Sequence, residues 1–375
     1  WKIPLTELPV RCIDTFTVCV HVHSTPVVKA LSRLHACFSF CDQLIDTFRH
    51  SLGIADDREQ IFTGCPVQLQ TGKEINTPRA KGLLLSMTAR GKEFDSDMAQ
   101  AMYECLLCDA CTNDCATGYQ PPLFIREART EAVVNGLAPK AVMDLVDNIE
   151  KTGNIYGKEK PSFGTENKGE VLVYIGEAAA FNAPAMAKAF LSLLSKAGVS
   201  YMVLKEEPAS GVMLGDLAGY VEEVQQQAKH CADAVNESGA KTVVVLDSYD
   251  EEIMKQKYPE WGCEIKADII SAVAYAAKLV EDGKLVIKGK AEGVAAYHDD
   301  DRSARTFHEF APARELAKKA GYELIEMFNK EKLAKSCGST VANAYMPEIV
   351  KKTASGRWDD LLRTNAEVMI TANPE

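Results

Sequence analysis

The chain has little that would carry it into a membrane or onto nucleic acid. Its longest uninterrupted apolar runs, such as Val171 to Ile175 and Val243 to Leu246, are strand-sized, far short of the roughly 18 residues a membrane-spanning helix needs. Basic residues are in deficit: 42 Lys and Arg stand against 53 Asp and Glu, a net charge of -11. A surface of that sign repels phosphate backbones, so DNA and RNA are not expected partners. No G-x-G-x-x-G, P-loop or G-x-S-x-G element occurs, which leaves nucleotide binding and serine hydrolysis without a motif. No charged, then apolar, then small-residue leader opens the chain at Trp1, so a cytoplasmic location is expected, with any membrane association made through a partner subunit.

What the chain has in excess is cysteine. Twelve cysteines in 375 residues are rich for a cytosolic protein of ordinary composition, and a chain this long and aliphatic needs no disulfide scaffold. Metal or redox chemistry is therefore the first expectation. Cys12, Cys19, Cys37, Cys41 and Cys65 precede a tight group at Cys105, Cys108, Cys111 and Cys115, and only Cys231, Cys263 and Cys337 follow.

Along the chain, residues 1 to 60 are mixed and resist assignment. Residues 61 to 150 read as mainly helical, with Gly91 and Gly136 as breaks, and residues 151 to 170 are polar and turn-rich, as in a linker. Beyond the linker, apolar strands alternate with helices. The expected elements are Val171 to Ile175, Ala183 to Ala197, Tyr201 to Leu204, Leu217 to Glu237 and Val243 to Leu246, a parallel sheet covered by helices. The order then recurs from Gly293 to Thr371. Ala197-Gly198 returns as Ala320-Gly321 at a shift of 123, and Asp247 as Asn373 at 126, which points to a duplicated unit of about 125 residues. The expected architecture is α+β and multidomain: an N-terminal extension (1–60), an α-helical ferredoxin-like domain (61–150), a linker (151–170) and two tandem α/β lobes (171–290 and 291–375).

Cys105-Leu-Leu-Cys108-Asp-Ala-Cys111-Thr-Asn-Asp-Cys115 has the C-x2-C-x2-C-x3-C spacing of a bacterial ferredoxin loop. Two-residue gaps turn successive thiolates toward one 4Fe-4S cluster, while the fourth cysteine serves the other cluster of a two-cluster protein. A zinc site is the competing reading, but zinc normally pairs two cysteine knuckles across a longer gap. The cluster on Cys105, Cys108 and Cys111 then needs a fourth ligand, and Cys65, followed by Pro66 as such ligands are, supplies it. Counting back from Cys65 by the same spacing reaches Ile61, Arg58 and Ala55, none of which ligates iron. One 4Fe-4S cluster on Cys65, Cys105, Cys108 and Cys111 is expected, with Cys115 as second choice. The alternative is a replacement site joining Cys115 to Cys12, Cys19, Cys37 or Cys41 and to His21, His23 or His35, although their spacing fits no ligand pattern and cysteine is often simply buried.

The run Gly64-Cys65-Pro66-Val67, Thr77-Pro78-Arg79-Ala-Lys81-Gly82 and Met102-Tyr103-Glu104-Cys105-Leu-Leu-Cys108-Asp-Ala-Cys111 resembles the ferredoxin module of one iron-sulfur family. That family contains a heterodisulfide reductase subunit, the iron-sulfur subunit of anaerobic glycerol-3-phosphate dehydrogenase, and those of glycolate and lactate oxidases. The duplicated half resembles the cysteine-rich CCG repeats of the same family, so the resemblance spans residues 62 to 375. Its landmarks are Val171 to Gly176, Glu207-Pro-Ala-Ser-Gly211, Tyr297-His-Asp-Asp-Asp301, Ser336-Cys337-Gly338 and Thr371-Ala-Asn-Pro374. Where the family's repeats carry cysteine ligands, this chain has Glu177, Ala209, Ser210, Asp247, Asp250, Asp301, Ser336 and Asn373. Cys337 alone remains, and one thiolate cannot hold a cluster.

The resemblance therefore implies repeats that keep the fold without its clusters. Asp299, Asp300 and Asp301 beside His298 are read as a solvated turn with Arg302 and Arg305 as counter-ions, with a hard-metal site as the alternative. Cys231 and Cys263 are read as core or near-surface thiols. The function implied is an electron-relay and scaffold subunit of a multi-subunit oxidoreductase, between a flavoprotein or other iron-sulfur subunit and its redox partner. A catalytic heterodisulfide-reductase-like subunit with an additional iron-sulfur centre, or a purely structural one, is the alternative. With no flavin or substrate motif, the chain is not expected to complete a reaction alone.

Overall fold

The computed structural model describes residues 64–115, 118–164, 169–288 and 291–374. The N-terminal cysteines and histidines of the alternative metal site, and Cys65's upstream positions Ala55, Arg58 and Ile61, lie outside the described residues.

Helices fill the first part: α1 (Pro66–Thr71), α2 (Pro78–Thr88), α3 (Ser96–Tyr103), the short α4 (Ala110–Asn113), α5 (Pro121–Val134) and α6 (Lys140–Thr152). Their starts are set by local chemistry. Thr77 accepts from the Ala80 amide and Asp95 from the Met98 amide, so α2 and α3 each satisfy an orphan N–H at the first turn. Proline at the first helical positions of α1, α2 and α5 has no N–H to leave unpaired. Gly91 and Gly136 take positive φ where the breaks were expected.

Two parallel sheets follow. In the first, β1 (Val171–Tyr174) lies between β2 (Tyr201–Met202) and β3 (Thr242–Val245), with β4 (Asp268–Ser271) outside β3. In the second, β5 (Val294–His298) lies between β6 (Glu323–Ile325) and β7 (Val368–Thr371). The three-strand order of the second sheet repeats the first three strands of the first. Register sets Val171 opposite Tyr201 and Thr242, and Ala295 opposite Val368. β1 and β3 are covered on both faces, which is why they read as unbroken apolar runs rather than alternating ones.

The helices between the strands are α7 (Glu177–Asn182), α8 (Pro184–Lys196), α9 (Val212–Ala218), α10 (Glu222–Glu237), α11 (Ser248–Glu252), α12 (Tyr258–Glu260) and α13 (Ala272–Glu281), then α14 (Asp301–Arg305), α15 (Ala311–Ala320), α16 (Thr340–Tyr345) and α17 (Pro347–Leu362). The helix expected over Leu217 to Glu237 is two helices, broken at Gly219. That glycine has φ +73°, and a Cβ there would lie 2.1 Å from Thr130 Oγ1 and 2.6 Å from the Arg126 carbonyl. The chain turns because α5 presses on it. Gly219→Ala combines a left-handed penalty of about 1–2 kcal/mol with displacement of α5, and a loss of at least about 2 kcal/mol in urea unfolding is expected.

The helical part and the first sheet share a core. Ala99, Tyr103, Ala132 and Val142 pack in one cluster with Leu172, Leu217, Val243 and Tyr258. The Tyr103 hydroxyl donates to the Leu217 carbonyl at 2.7 Å, and Arg126 meets Asp216 at 2.6 Å with both side chains buried. No helix among the described residues is long and apolar enough to cross a membrane.

Candidate metal centre

Cys65 immediately precedes α1 without a side-chain bond to the helix end, and its Sγ donates to the Asn76 carbonyl at 3.3 Å. Cys105 and Cys108 lie on the loop between α3 and α4, and Cys111 lies in the first turn of α4; in that loop Leu107 (φ 54°) and Asp109 (φ 58°) both adopt left-handed backbone. Two such non-glycine residues cost about 1–2 kcal/mol each, so something must hold the loop. Three buried arginines do. Arg129 donates to the Cys105 carbonyl at 2.8 Å, Arg302 to the Leu107 carbonyl at 2.6 Å, and Arg305 to the Cys108 carbonyl at 2.6 Å. Arg302 also pairs with Asp109 at 2.9 Å. Arg129 comes from α5, whereas Arg302 and Arg305 come from α14, beyond β5, so the second sheet grips the cysteine loop directly.

The four thiols lie in one another's field. Burial pushes Cys111 well above the usual thiol range, and Cys108, Cys105, Asp109 and Cys65 push it further. Burial likewise raises Cys65, with Cys105 adding to the rise and the ammonium of Lys81 opposing it. Cys108 is raised by burial first and by Asp301 and Cys65, against Arg305. Lys81 is itself buried and donates to the Ala101 carbonyl at 2.5 Å. Burial lowers its pKa, while Cys105 and Cys65 hold it up. Cys115 Sγ accepts from the Tyr119 amide at 3.3 Å. Among the described residues no three His, Cys, Asp or Glu side chains converge as they would on one ion.

This donor set suits a cluster. A buried thiol that resists ionisation in the bare protein is deprotonated when a metal takes it, and the buried cations Lys81, Arg129, Arg302 and Arg305 offset the negative charge that four thiolates bring. A cubane gives each thiolate its own iron, so its thiols need not close on a single point as around zinc. Sequence reading placed none of these cations at the cysteines and read Arg302 and Arg305 only as counter-ions of the Asp299 to Asp301 turn. The only signal was Lys81 within the Thr77-Pro78-Arg79-Ala-Lys81 run, because nothing local marks a distant arginine as buried.

At the positions where the resemblance placed family cysteines, the structure has polar groups bonded to one another. Ser210 donates to Asp250 at 2.5 Å and Ser336 to Asp301 at 2.6 Å. Asp247 caps α11 through the Tyr249 amide. Glu207 accepts from the Ile175 and Gly176 amides and pairs with Lys160 at 2.8 Å. The Asp299 to Asp301 turn differs from expectation. All three carboxylates are buried rather than solvated, because each has an internal partner. Asp299 is held by both Arg314 terminal nitrogens at 2.7 and 2.8 Å, Asp300 caps the Arg302 and Ser303 amides, and Asp301 pairs with Arg305 at 2.6 Å. Arg302 serves Asp109 instead. Cys231 is buried in α10 and Cys263 is half-exposed after α12.

Burial leaves several of these acids hard to ionise. Glu177, with Oε1 unpartnered among the described residues, is pushed by desolvation from 4.5 to about 8, against the pull of Lys160. Desolvation also raises Asp250 to about 7. A raised carboxyl binds its proton more tightly in the folded state, so its contribution is fully present below pH 4.5 and is lost as pH rises through about 8. Glu177→Gln should therefore flatten the fall in stability between pH 5 and 8 and raise the unfolding midpoint at pH 8. Urea titrations of both proteins across that range check it, and an unchanged slope would refute the assignment.

A dihydromethanophenazine:CoB–CoM heterodisulfide reductase subunit of Methanosarcina barkeri is 24% identical over 298 residues, 76% of this chain and 72% of that one. The chain is a homologue of this heterodisulfide reductase subunit. The EtfAB:quinone oxidoreductase of Syntrophomonas wolfei is 25% identical over 75% of this chain and 43% of its own length. The probable iron-sulfur-binding oxidoreductase FadF of Bacillus subtilis is 22% identical over 73% and 42%. These similarities agree with the resemblance read from the sequence and indicate an iron-sulfur oxidoreductase subunit. No family model matches the chain, and no solved structure matches it.

Proposed function

We propose that this heterodisulfide reductase homologue is an electron-relay and scaffold subunit carrying one 4Fe-4S cluster on Cys65, Cys105, Cys108 and Cys111. The observation that carries the reading is the mutual field of those four buried and half-buried thiols, beside Lys81 and the arginines that hold the loop carbonyls. Such a cluster takes up and passes on one electron at a time. The protein's own part is to exclude water from the thiols, fix the strained loop through Arg129, Arg302 and Arg305, and offset thiolate charge with Lys81.

The two sheets, with their repeated strand order, act in this reading as a pair of CCG-like lobes over 171–290 and 291–375. They follow a ferredoxin-like helical domain over 61–150 and a linker over 151–170, with residues 1–60 as an extension. The positions of the family's ligands are filled by hydrogen-bonded acids and serines, which supports a docking role rather than a second redox centre. The partners on either side are a flavoprotein dehydrogenase or further iron-sulfur subunits, and the complex is cytoplasmic or reaches a membrane through another chain. The test is iron and acid-labile sulfide on anaerobically purified protein, with low-temperature EPR after reduction. About four of each per chain and one cubane signal are expected. About eight or more would replace the relay by a catalytic subunit with a second centre, and none would leave a structural subunit.

A further inference from the structure

At the carboxyl ends of β5 and β7, next to the segment where Ser336 bonds Asp301 and Arg305 grips the cysteine loop, a further thiol sits in a built environment. Cys337 lies half-buried on the loop before α16, its Sγ 3.3 Å from His298 Nε2. The other ring nitrogen, Nδ1, accepts from Arg357 Nε at 2.9 Å. A guanidinium only donates, so Nδ1 must offer its lone pair, and the proton of the neutral ring is on Nε2, facing the sulfur. The ring is held neutral by burial, reinforced by Arg357 and Arg305. His298 is therefore a fixed donor to Cys337 and not a base.

Arg357 brings a positive charge to the same place. Its side chain is 1% exposed, NH1 is spent on the Asn329 carbonyl at 2.6 Å, and NH2 has no partner among the described residues. Burial lowers the pKa of Arg357, while Asp360, Asp299 and Cys337 hold it up, so thiol and guanidinium are electrostatic neighbours. The acids nearby are engaged elsewhere: Asp299 by Arg314, Asp300 by helix-capping amides, Asp301 by Arg305 and Ser336, and Asp360 chiefly by Lys335 at 2.7 Å, with Arg357 NH1 at 3.4 Å. A donated N–H, a buried cation and partial exposure make the environment in which a cysteine reacts as thiolate.

We infer that Cys337 is a nucleophilic thiolate, held by His298 Nε2–H and the buried charge of Arg357, and a site of thiolation by small-molecule disulfides. In the exchange, the Cys337 sulfur attacks one sulfur of the disulfide, a new S–S bond forms as the old one breaks, and the other half leaves as a thiolate. No electrons are gained or lost overall. The site is independent of the relay reading, since it uses none of Cys65, Cys105, Cys108 and Cys111.

The test is on the full, cluster-loaded chain under anaerobic conditions. Iodoacetamide labelling of Cys337 is followed by peptide mass mapping from pH 6 to pH 8, with Cys337→Ser identifying the peptide. An ordinary thiol, with its pKa near 8.5, slows about fifty- to hundredfold as the pH falls from 8 to 6. Cys337 is expected to slow by less than about threefold, and glutathione disulfide is expected to add one glutathione at Cys337, removable by dithiothreitol. Arg357→Met should restore the steep pH dependence. Should that variant fail to fold, the wild-type profile still decides. An ordinary pH profile, or no glutathione adduct at Cys337, would overturn the inference.

Discussion

Cys108→Ser protein is expected to lose its iron and its cubane EPR signal, and the electron flow of the assembly should fall to background. Burial raises Cys108 well above the usual thiol range, so in the bare protein its sulfur is kept as thiol, and a metal is what would draw off the proton. A serine oxygen is both harder to ionise and a poor match for iron that prefers sulfur. The loop itself should survive the change, because Arg305 holds the Cys108 carbonyl and not its side chain. Circular dichroism should accordingly stay close to wild type while iron falls from about four per chain to near none. Cys115→Ser is the companion measurement. It should keep its iron, since the fourth cysteine of such a motif serves a different cluster. Iron lost from Cys115→Ser, or retained in Cys108→Ser, would reject the four-cysteine assignment.

Arg302→Met should be the most damaging single change to stability. The guanidinium is fully buried, donates to the Leu107 carbonyl, pairs with Asp109 and lies 5.3 Å from the centroid of the Tyr249 ring. Removing it strands the Asp109 carboxylate, 8% exposed, with its cation gone. Breaking a buried pair from one side costs about 3–5 kcal/mol, and the left-handed residues at 107 and 109 lose a restraint as well. Because Arg302 belongs to α14 and Asp109 to the cysteine loop, the same substitution should loosen iron binding. Asp109→Asn combined with Arg302→Met should recover part of the lost stability, because an amide is less costly to bury alone than a charge. Urea unfolding of the single and double variants reads this directly. A double variant no better than Arg302→Met would show that the pair contributes little.

The pH result for Glu177 and the stability of the Arg302 variants bear on one question, how these sheets stay folded with acids and serines where the family resemblance places metal-binding cysteines. In the first sheet, Asp250, Ser210, Glu177, Glu207 and Lys160 occupy the ends of β1 and β3. A Cβ on Gly176 would lie 2.2 Å from Asp250 Oδ2, so the acid packs directly against the strand end. Protonated acids and serine hydroxyls supply the donors that burial demands. The cost is a dependence on pH, which cysteines bound to metal would not impose in this range.

Much of the fold was legible locally. Strands β1, β3, β5 and β7 were visible as apolar runs, and helices over residues 78–103, 121–134 and 311–320 from their spacing, prolines and terminal glycines, because periodicity and capping act within a few residues. β4 and the helices between residues 248 and 260 were not read. Asp268 to Ser271 opens on an exposed acid and lies at the sheet edge, so it lacks the unbroken apolar run that marked its neighbours. The break at Gly219 escaped too, since what forbids a side chain there is α5, nearly ninety residues earlier in the chain.

The sequence by itself determined which cysteines are candidate ligands and that the family's other ligand positions are acids, serine, alanine and asparagine, because spacing and residue type are written in the chain. Only the tertiary structure decided what surrounds them. Arg302 and Asp109 are 193 residues apart, and Cys337 meets a histidine and an arginine from two other elements. The Asp299 to Asp301 run reads as a solvated turn until Arg314 and Arg305 arrive to pair with it. Whether a charge is buried depends on the partner that folding brings to it, and no local pattern encodes that partner.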